Sequence, residues 1–173
     1  FGYFVHDNHM KGPIVHTLSE PYGAQYWWPC KQTLHDKIDS LDVWVYTDPS
    51  MKAASNGVVV RNEVLNDSQR LMVWKHRYPI VTYLVAIAVT NYSEYTQYAQ
   101  LIGRSKPLPV LNYVFPQFRT DAERETKDVL PMIRLFDSLF VPYPFEKEKY
   151  GHAQFTWGGG MEHQTMSFMV NFS

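Results

Sequence analysis

A chain of 173 residues with 45% hydrophobic and 16% aromatic side chains can build one good core or two small units, and this composition argues against disorder. Its net charge of -1 predicts no nucleic-acid partner. No apolar run approaches the roughly 18 residues of a membrane span, no signal-like segment opens the sequence at Phe1, and the single Cys30 excludes an internal disulfide while leaving the compartment open, a periplasmic or secreted location being favoured over the cytoplasm.

From Phe1 to about Trp28 the pattern is short and aromatic, with His6, Asp7, His9 and His16 scattered among turn residues. The spacing in His6-Asp7-Asn8-His9 fits neither a helical i,i+4 pair nor same-face neighbours on a strand, so it reads as a solvated loop and not as a metal site. Trp27 and Trp28 adjoin, and on a strand they would point to opposite faces, one into the core and one over a domain interface. Leu41 to Thr47 is rich in β-branched and aromatic residues and is stopped by Asp48-Pro49, as a strand would be. Asn56-Gly57 is a hairpin signal ahead of the strand-like Val58-Val59-Val60-Arg61. Asn66-Asp67 then turns the chain into Leu71 to His76. Ile80 to Val89 is nearly continuous in apolar residues, and its β-branched content favours a strand buried on both faces over a helix. Thr96 to Ile102 and Val110 to Val114 read as two more strands. This succession predicts an antiparallel sandwich.

The periodicity changes after Pro116. Thr120 followed by Glu123 has the form of a capping box. Beyond it Val129, Ile133, Phe136 and Phe140 recur as one helical face should. Pro131 should kink this helix or make Leu130 a junction between a charged first segment and a buried second one, and the helix should finish before Pro142. A domain boundary is expected near Phe115 to Arg119, which divides the chain into residues 1–117 and 118–173.

The chemistry gathers near the other end. Two strand-like runs, Ala153 to Trp157 and Met166 to Phe172, flank Gly158-Gly159-Gly160-Met161-Glu162-His163. Three glycines strip the side chains from one piece of backbone, as where another backbone or a ligand must come close. An extended peptide could add itself to such an edge as a further strand, with Glu162 receiving a positive group at its end. The plainer reading is a Gly-rich hairpin turn with a solvated carboxylate.

Gly160-Met161-Glu162 resembles the Gly-x-Met-Glu-Asn motif of the aminopeptidase N-like zinc metallopeptidases. Tyr143-Pro144-Phe145-Glu146-Lys147 resembles that family's Tyr-Pro-x-x-Lys segment. Glu20-Pro21-Tyr22-Gly23-Ala24 with Pro29-Cys30, and Ala53-Ala54-Ser55-Asn56-Gly57, are similar to two earlier segments, in the family's order. The resemblance implies an α+β fold, mainly antiparallel β. Residues 1–117 would be the later part of an N-terminal β domain of sandwich type, and residues 118–173 the first helix and strands of a thermolysin-like catalytic domain. It implies a zinc aminopeptidase as the parent protein, with peptides bound through a free N-terminus. Glu162 would pair with the substrate ammonium, whose pKa near 7.7 to 8.0 keeps it mostly protonated at neutral pH. Met161 and the backbone of Gly158, Gly159 and Gly160 would contact the substrate.

Two positions depart from the pattern: His163 stands where Asn is usual, and Leu18-Ser19 where a Gln precedes Glu20-Pro21. Zinc hydrolysis needs three protein ligands, usually from His-Glu-x-x-His and a later Glu. None of the seven histidines begins such a motif; His152 is followed by Ala153 and His163 by Gln164. The expectation is therefore a fragment without zinc ligands or catalytic residues of its own, inactive alone, with zinc held elsewhere in the parent. The alternatives are a binding module with Trp27, Trp28, Trp44, Trp74 and Trp157 as an aromatic platform, most of these indoles being core in the plainer view, and a non-catalytic scaffold of the same fold. A nucleophilic Cys30 is a weaker idea, because lone cysteines are more often buried and inert.

Overall fold

The computed structural model describes residues 3–171. Its strands form three sheets. Strands β1 (Phe4–His9), β2 (Gly12–Thr17), β4 (Lys52–Ser55) and β7 (Ile87–Thr90) make an antiparallel sheet in the order β1-β2-β7-β4. Strands β3 (Leu41–Thr47), β5 (Val58–Asn66) and β6 (Gln69–His76) make a second, in the order β3-β6-β5. The third runs β11-β12-β10-β9-β8, from β8 (Ser93–Ala99), β9 (Leu108–Val114), β10 (Tyr150–Gln154), β11 (Gly160–Met161) and β12 (Ser167–Met169). Its centre is parallel, β10 lying between β9 and β12, and its two edge pairs are antiparallel. This sheet takes two strands from before Pro116 and three from after it. The mainly antiparallel α+β class expected from the sequence is the observed one.

All three sheets contribute to one core. Ile14, Ala53 and Ala88 from the first sheet, Met72 and Trp74 from the second, Tyr113, Ala153 and Phe168 from the third, and Phe155 just after β10 are buried together. Trp74 is fully enclosed, and its indole N–H donates to the Ala53 carbonyl at 3.1 Å, so the ring joins two sheets by packing and by a hydrogen bond. A smaller cluster of Ala99, Leu101, Leu108 and Val110 lies under the helices.

Several local expectations are corrected by long-range partners. His6 to His9 is no loop: it lies in β1, paired with β2 from Phe4↔Thr17 to His9↔Gly12, so ladder pairing overrides its polar composition. Trp27 and Trp28 are not on a strand; they follow a single 3-10 turn at Ala24–Tyr26, with ring centroids 5.8 Å apart. Asn56-Gly57 makes no hairpin, because β4 pairs with β7 while β5 pairs with β6, so the dipeptide is the corner between two sheets. The Ile80 to Val89 run is broken: Ile80 bridges to Ile38, a 3-10 turn occupies Thr82–Leu84, and only Ile87–Thr90 joins a sheet. The Asn56 side chain serves the interrupted backbone, donating to the Leu84 carbonyl at 2.9 Å and accepting from the Ala86 N–H at 2.8 Å.

The helical segment divides into α1 (Arg119–Glu125), a 3-10 turn (Thr126–Asp128) and α2 (Val129–Leu139). No capping box forms. Phe118 holds the cap position without a side-chain hydrogen bond, and Glu123 accepts from Arg119 Nε at 2.7 Å. The junction precedes Val129, and Pro131 falls in the first turn of α2, where its missing N–H forfeits no helical bond. The expected burial of the second segment is not found. Leu130 and Ile133 pack on the smaller cluster, whereas Met132, Leu135, Phe136, Leu139 and Phe140 are more than half exposed. No helix among the described residues is long and apolar enough to cross a membrane.

Candidate functional site

The glycine run leaves β10 through Phe155 and the half-buried Trp157 and returns as β11, the edge strand of the five-stranded sheet. Gly158, Gly159 and Gly160 are exposed, each for its own reason. Gly159 has φ 125 and lies over the Trp157 ring, 3.2 Å from where a Cβ would stand. A Cβ on Gly160 would come within 2.9 Å of Met169 Sδ and 3.3 Å of the Phe168 carbonyl, so a larger residue there would push the Met169 side chain aside and crowd the β11–β12 pairing. Gly158 has nothing within 4 Å of its Cβ position. The strand pairs on one side only, through Gly160↔Met169 and Met161↔Phe168, with Val170 N–H donating to the Gly159 carbonyl at 3.0 Å. The opposite edge of this short strand is the bare backbone that an added peptide strand would use.

Side chains alternate along this edge as a strand dictates. Met161 turns into the core, Glu162 turns out to solvent, and His163 turns in again. Close to Glu162 stands Tyr83, whose phenol is pushed up by burial and then by the Glu162 charge. His163 packs edge-on against Phe168 with centroids 4.5 Å apart, and neither ring nitrogen has a hydrogen-bond partner. Burial, followed by the nearby His16, pulls its pKa down to about 3. The residue in the usual Asn position is therefore a neutral, apolar-packed ring. The buried His16 Nε2 lies 3.2 Å from Thr156 Oγ1, and a hydrogen bond from Thr156 is the main cause that holds the Asp7 carboxyl below its ordinary value.

These buried rings make a pH prediction. His163 at about 3 and His152 at about 4, the latter lowered by burial and then by Lys149, stay neutral where the unfolded chain binds protons. Between pH 6.5 and 4 the unfolded state thus binds more protons than the native one, and stability falls as the pH is lowered. The expected loss on moving from pH 7.5 to 5 is roughly 2 kcal/mol for each ring. Urea midpoints at the two pH values check this, and His163→Phe should remove its share of the difference.

The five tryptophans do not behave alike. Trp74 is the centre of the core, Trp27 donates to Ser19 Oγ at 2.7 Å, and Trp44 is the one more than half exposed, on the outer face of β3 beside Tyr46. Among the described residues no three His, Cys, Asp or Glu side chains converge as metal ligands. The residues present therefore do not fit a zinc ion, and no step here runs through one.

Sequence reasoning missed what lies behind Glu162. Lys149, in the charged run Glu146-Lys147-Glu148-Lys149, is 1% exposed and donates to the Thr165 carbonyl at 2.6 Å. Thr165 has φ 65. Asn56-Gly57, read as a local turn, reaches the same segment 108 residues later in the chain. A charged run normally signals a solvated face, and no local pattern shows a partner so distant.

By sequence, no family model and no curated protein matches the chain. Solved structures do. A variant of a two-domain M1 zinc metallopeptidase bound to L-tryptophan superposes with a TM-score of 0.80 and 21% identity, over 97% of this chain and 37% of that one. An M1 zinc metallopeptidase from Deinococcus radiodurans gives a TM-score of 0.76 and 24% identity, again over 97% and 37%. An M1 variant from the same organism bound to a Tyr-Ser-Ala substrate gives 0.72 and 21%, over 90% and 35%. The chain has the fold of these metallopeptidases and spans 35% to 37% of their length.

Proposed function

We propose that this chain is the part of a zinc aminopeptidase that receives the free N-terminus of a peptide. The observation that carries the proposal is Glu162, an exposed carboxylate at the end of an edge strand whose glycines leave the backbone bare. The edge of β11 takes the main chain of the substrate as an added strand, and Glu162 pairs with its α-ammonium. Internal peptide bonds bring no ammonium to that carboxylate, which selects against endopeptidase action. The fold shared with M1 zinc metallopeptidases supports this reading, as do the amino acid and the tripeptide bound in two of them. Zinc belongs to the parent protein, held by residues other than those described here.

The test uses the full-length protein that contains this chain. Aminoacyl p-nitroanilides should be hydrolysed, their N-acetylated forms should not, and a chelator should stop the reaction until zinc is restored. Equal hydrolysis of blocked and free substrates would overturn the role given to Glu162. A full-length protein that binds no zinc would leave a scaffold of the same fold.

A further inference from the structure

The chain between Glu162 and β12 is a four-residue turn, His163 to Met166, closed by the Met166 N–H donating to the His163 carbonyl at 3.0 Å. Its third residue, Thr165, has φ 65, which turns ask of glycine and which a β-branched side chain resists. The turn persists because other parts of the fold hold it. Gly57 N–H donates to Thr165 Oγ1 at 2.8 Å, and Asn56 Nδ2 donates to the Gln164 carbonyl at 2.6 Å. The Gln164 amide donates to the Pro79 carbonyl at 3.1 Å and meets His76 Nε2 at 2.8 Å. His76 Nδ1 lies 2.6 Å from Glu148 Oε2, so one tautomer satisfies the whole row: Gln164 donates to Nε2, and Nδ1 donates to Glu148. From beneath, Lys149 Nζ donates to the Thr165 carbonyl at 2.6 Å and stands 5.4 Å from the Trp74 ring centroid.

Lys149 is the group that ordinary packing explains least. It is completely enclosed, its amine donates to the carbonyl and the hydroxyl of Thr165, and its charge faces Glu148 and His152, with the Trp74 ring covering it. Burial pulls its pKa down to about 7, against a smaller upward pull from Glu148. An apolar side chain of the same length would fill the space without that penalty. What it would lack is the bond to the strained residue three positions after Glu162.

We propose that Lys149 is a positioning residue: its buried amine, bonded to the Thr165 carbonyl, locks the 163–166 turn and so sets where the Glu162 carboxylate meets the substrate ammonium. This rests on the function proposed above for its kinetic part, and on geometry alone for the lock itself. Lys149→Met in the full-length protein tests both. Amide hydrogen exchange at Gly57 and Met166 should quicken at least tenfold while that at Val110, in the neighbouring strand pair, stays unchanged. KM for an aminoacyl substrate should rise about tenfold with kcat changed less than threefold. A general loss of packing would instead quicken exchange at Val110 as well and lower kcat. Unchanged exchange at Gly57 and Met166 overturns the lock. Quickened exchange with an unchanged KM overturns its link to Glu162. Should Lys149→Met fail to fold, Lys149→Leu removes the same amine with a smaller apolar side chain, and the same exchange and KM changes are expected of it. A full-length protein without aminopeptidase activity removes the functional reading, while the exchange result still decides the lock.

Discussion

Glu162→Ala in the full-length protein should remove most of the proposed aminopeptidase activity and leave its zinc content unchanged. The carboxylate follows directly on the bare edge strand β11, and in the proposed complex it is shielded from water by the substrate that it holds. Truncating one partner of such a charge pair costs roughly 2–5 kcal/mol, which corresponds to a loss of about 30- to 5,000-fold in kcat/KM. Glu162→Gln keeps the size and the hydrogen-bond acceptor and removes the charge, so it should lie between the wild type and alanine. Steady-state kinetics on free and N-acetylated substrates, together with metal analysis, measure this. Alanine and wild-type proteins of equal activity would sink the ammonium-binding role. Loss of zinc along with activity would show that the variant had damaged the fold.

Gly57→Ala should have the largest effect on stability. A Cβ there would overlap the Lys75 carbonyl oxygen, stand 2.5 Å from its carbon and 2.7 Å from the His76 Cα, all of them backbone atoms of β6 that cannot swing aside. The residue also has φ 78, which alanine resists. Moving the corner would break the Gly57 bond to Thr165 and loosen the Asn56 bonds to Leu84, Ala86 and Gln164. The expected loss is about 3–5 kcal/mol, from strain and broken buried hydrogen bonds together. Gly158→Ala is the matched control. With nothing within 4 Å of its Cβ position it should stay within about 0.5 kcal/mol of the wild type in a urea titration.

The contrast between these two glycines shows what could be read from the sequence. Leu41–Thr47 was legible to the residue because its β-branched and aromatic content and the Asp48-Pro49 stop are local signals, and the expected strand at Val110 to Val114 lies within β9. The glycine run before Met161 was legible as a candidate site because three adjacent glycines are conspicuous whatever surrounds them. Asn56-Gly57 has the composition of a tight hairpin, yet its asparagine amide is bonded to backbone 28 and 108 residues away, and those partners decide the structure. The same holds for Ile80 to Val89, where apolar continuity conceals a break that the Asn56 side chain makes tolerable. Helix α2 failed in the opposite direction. Its periodic apolar face is real, but periodicity says only that a face exists, and here much of that face meets solvent. The support behind Glu162 was illegible, because Lys149 in a run of alternating charges looks like surface.

The parallel pairing of β10 with β9 carries a kinetic consequence. The β8–β9 pair is a hairpin and closes from nearby sequence, but β10 cannot reach β9 until the whole stretch through α1 and α2 has folded back. The β11–β12 pair is likewise a hairpin of nearby residues, and it can add to the sheet only through β10, on which β12 pairs in parallel. The carboxylate that gives the chain its proposed purpose should therefore reach its place only when this hairpin docks on β10. Pulse-labelled exchange during refolding should find the amide of Val110 protected before that of Phe168. Substitutions in α2, which packs on the β8 side of the sheet, should slow the arrival of a competent site without changing the site once it has formed.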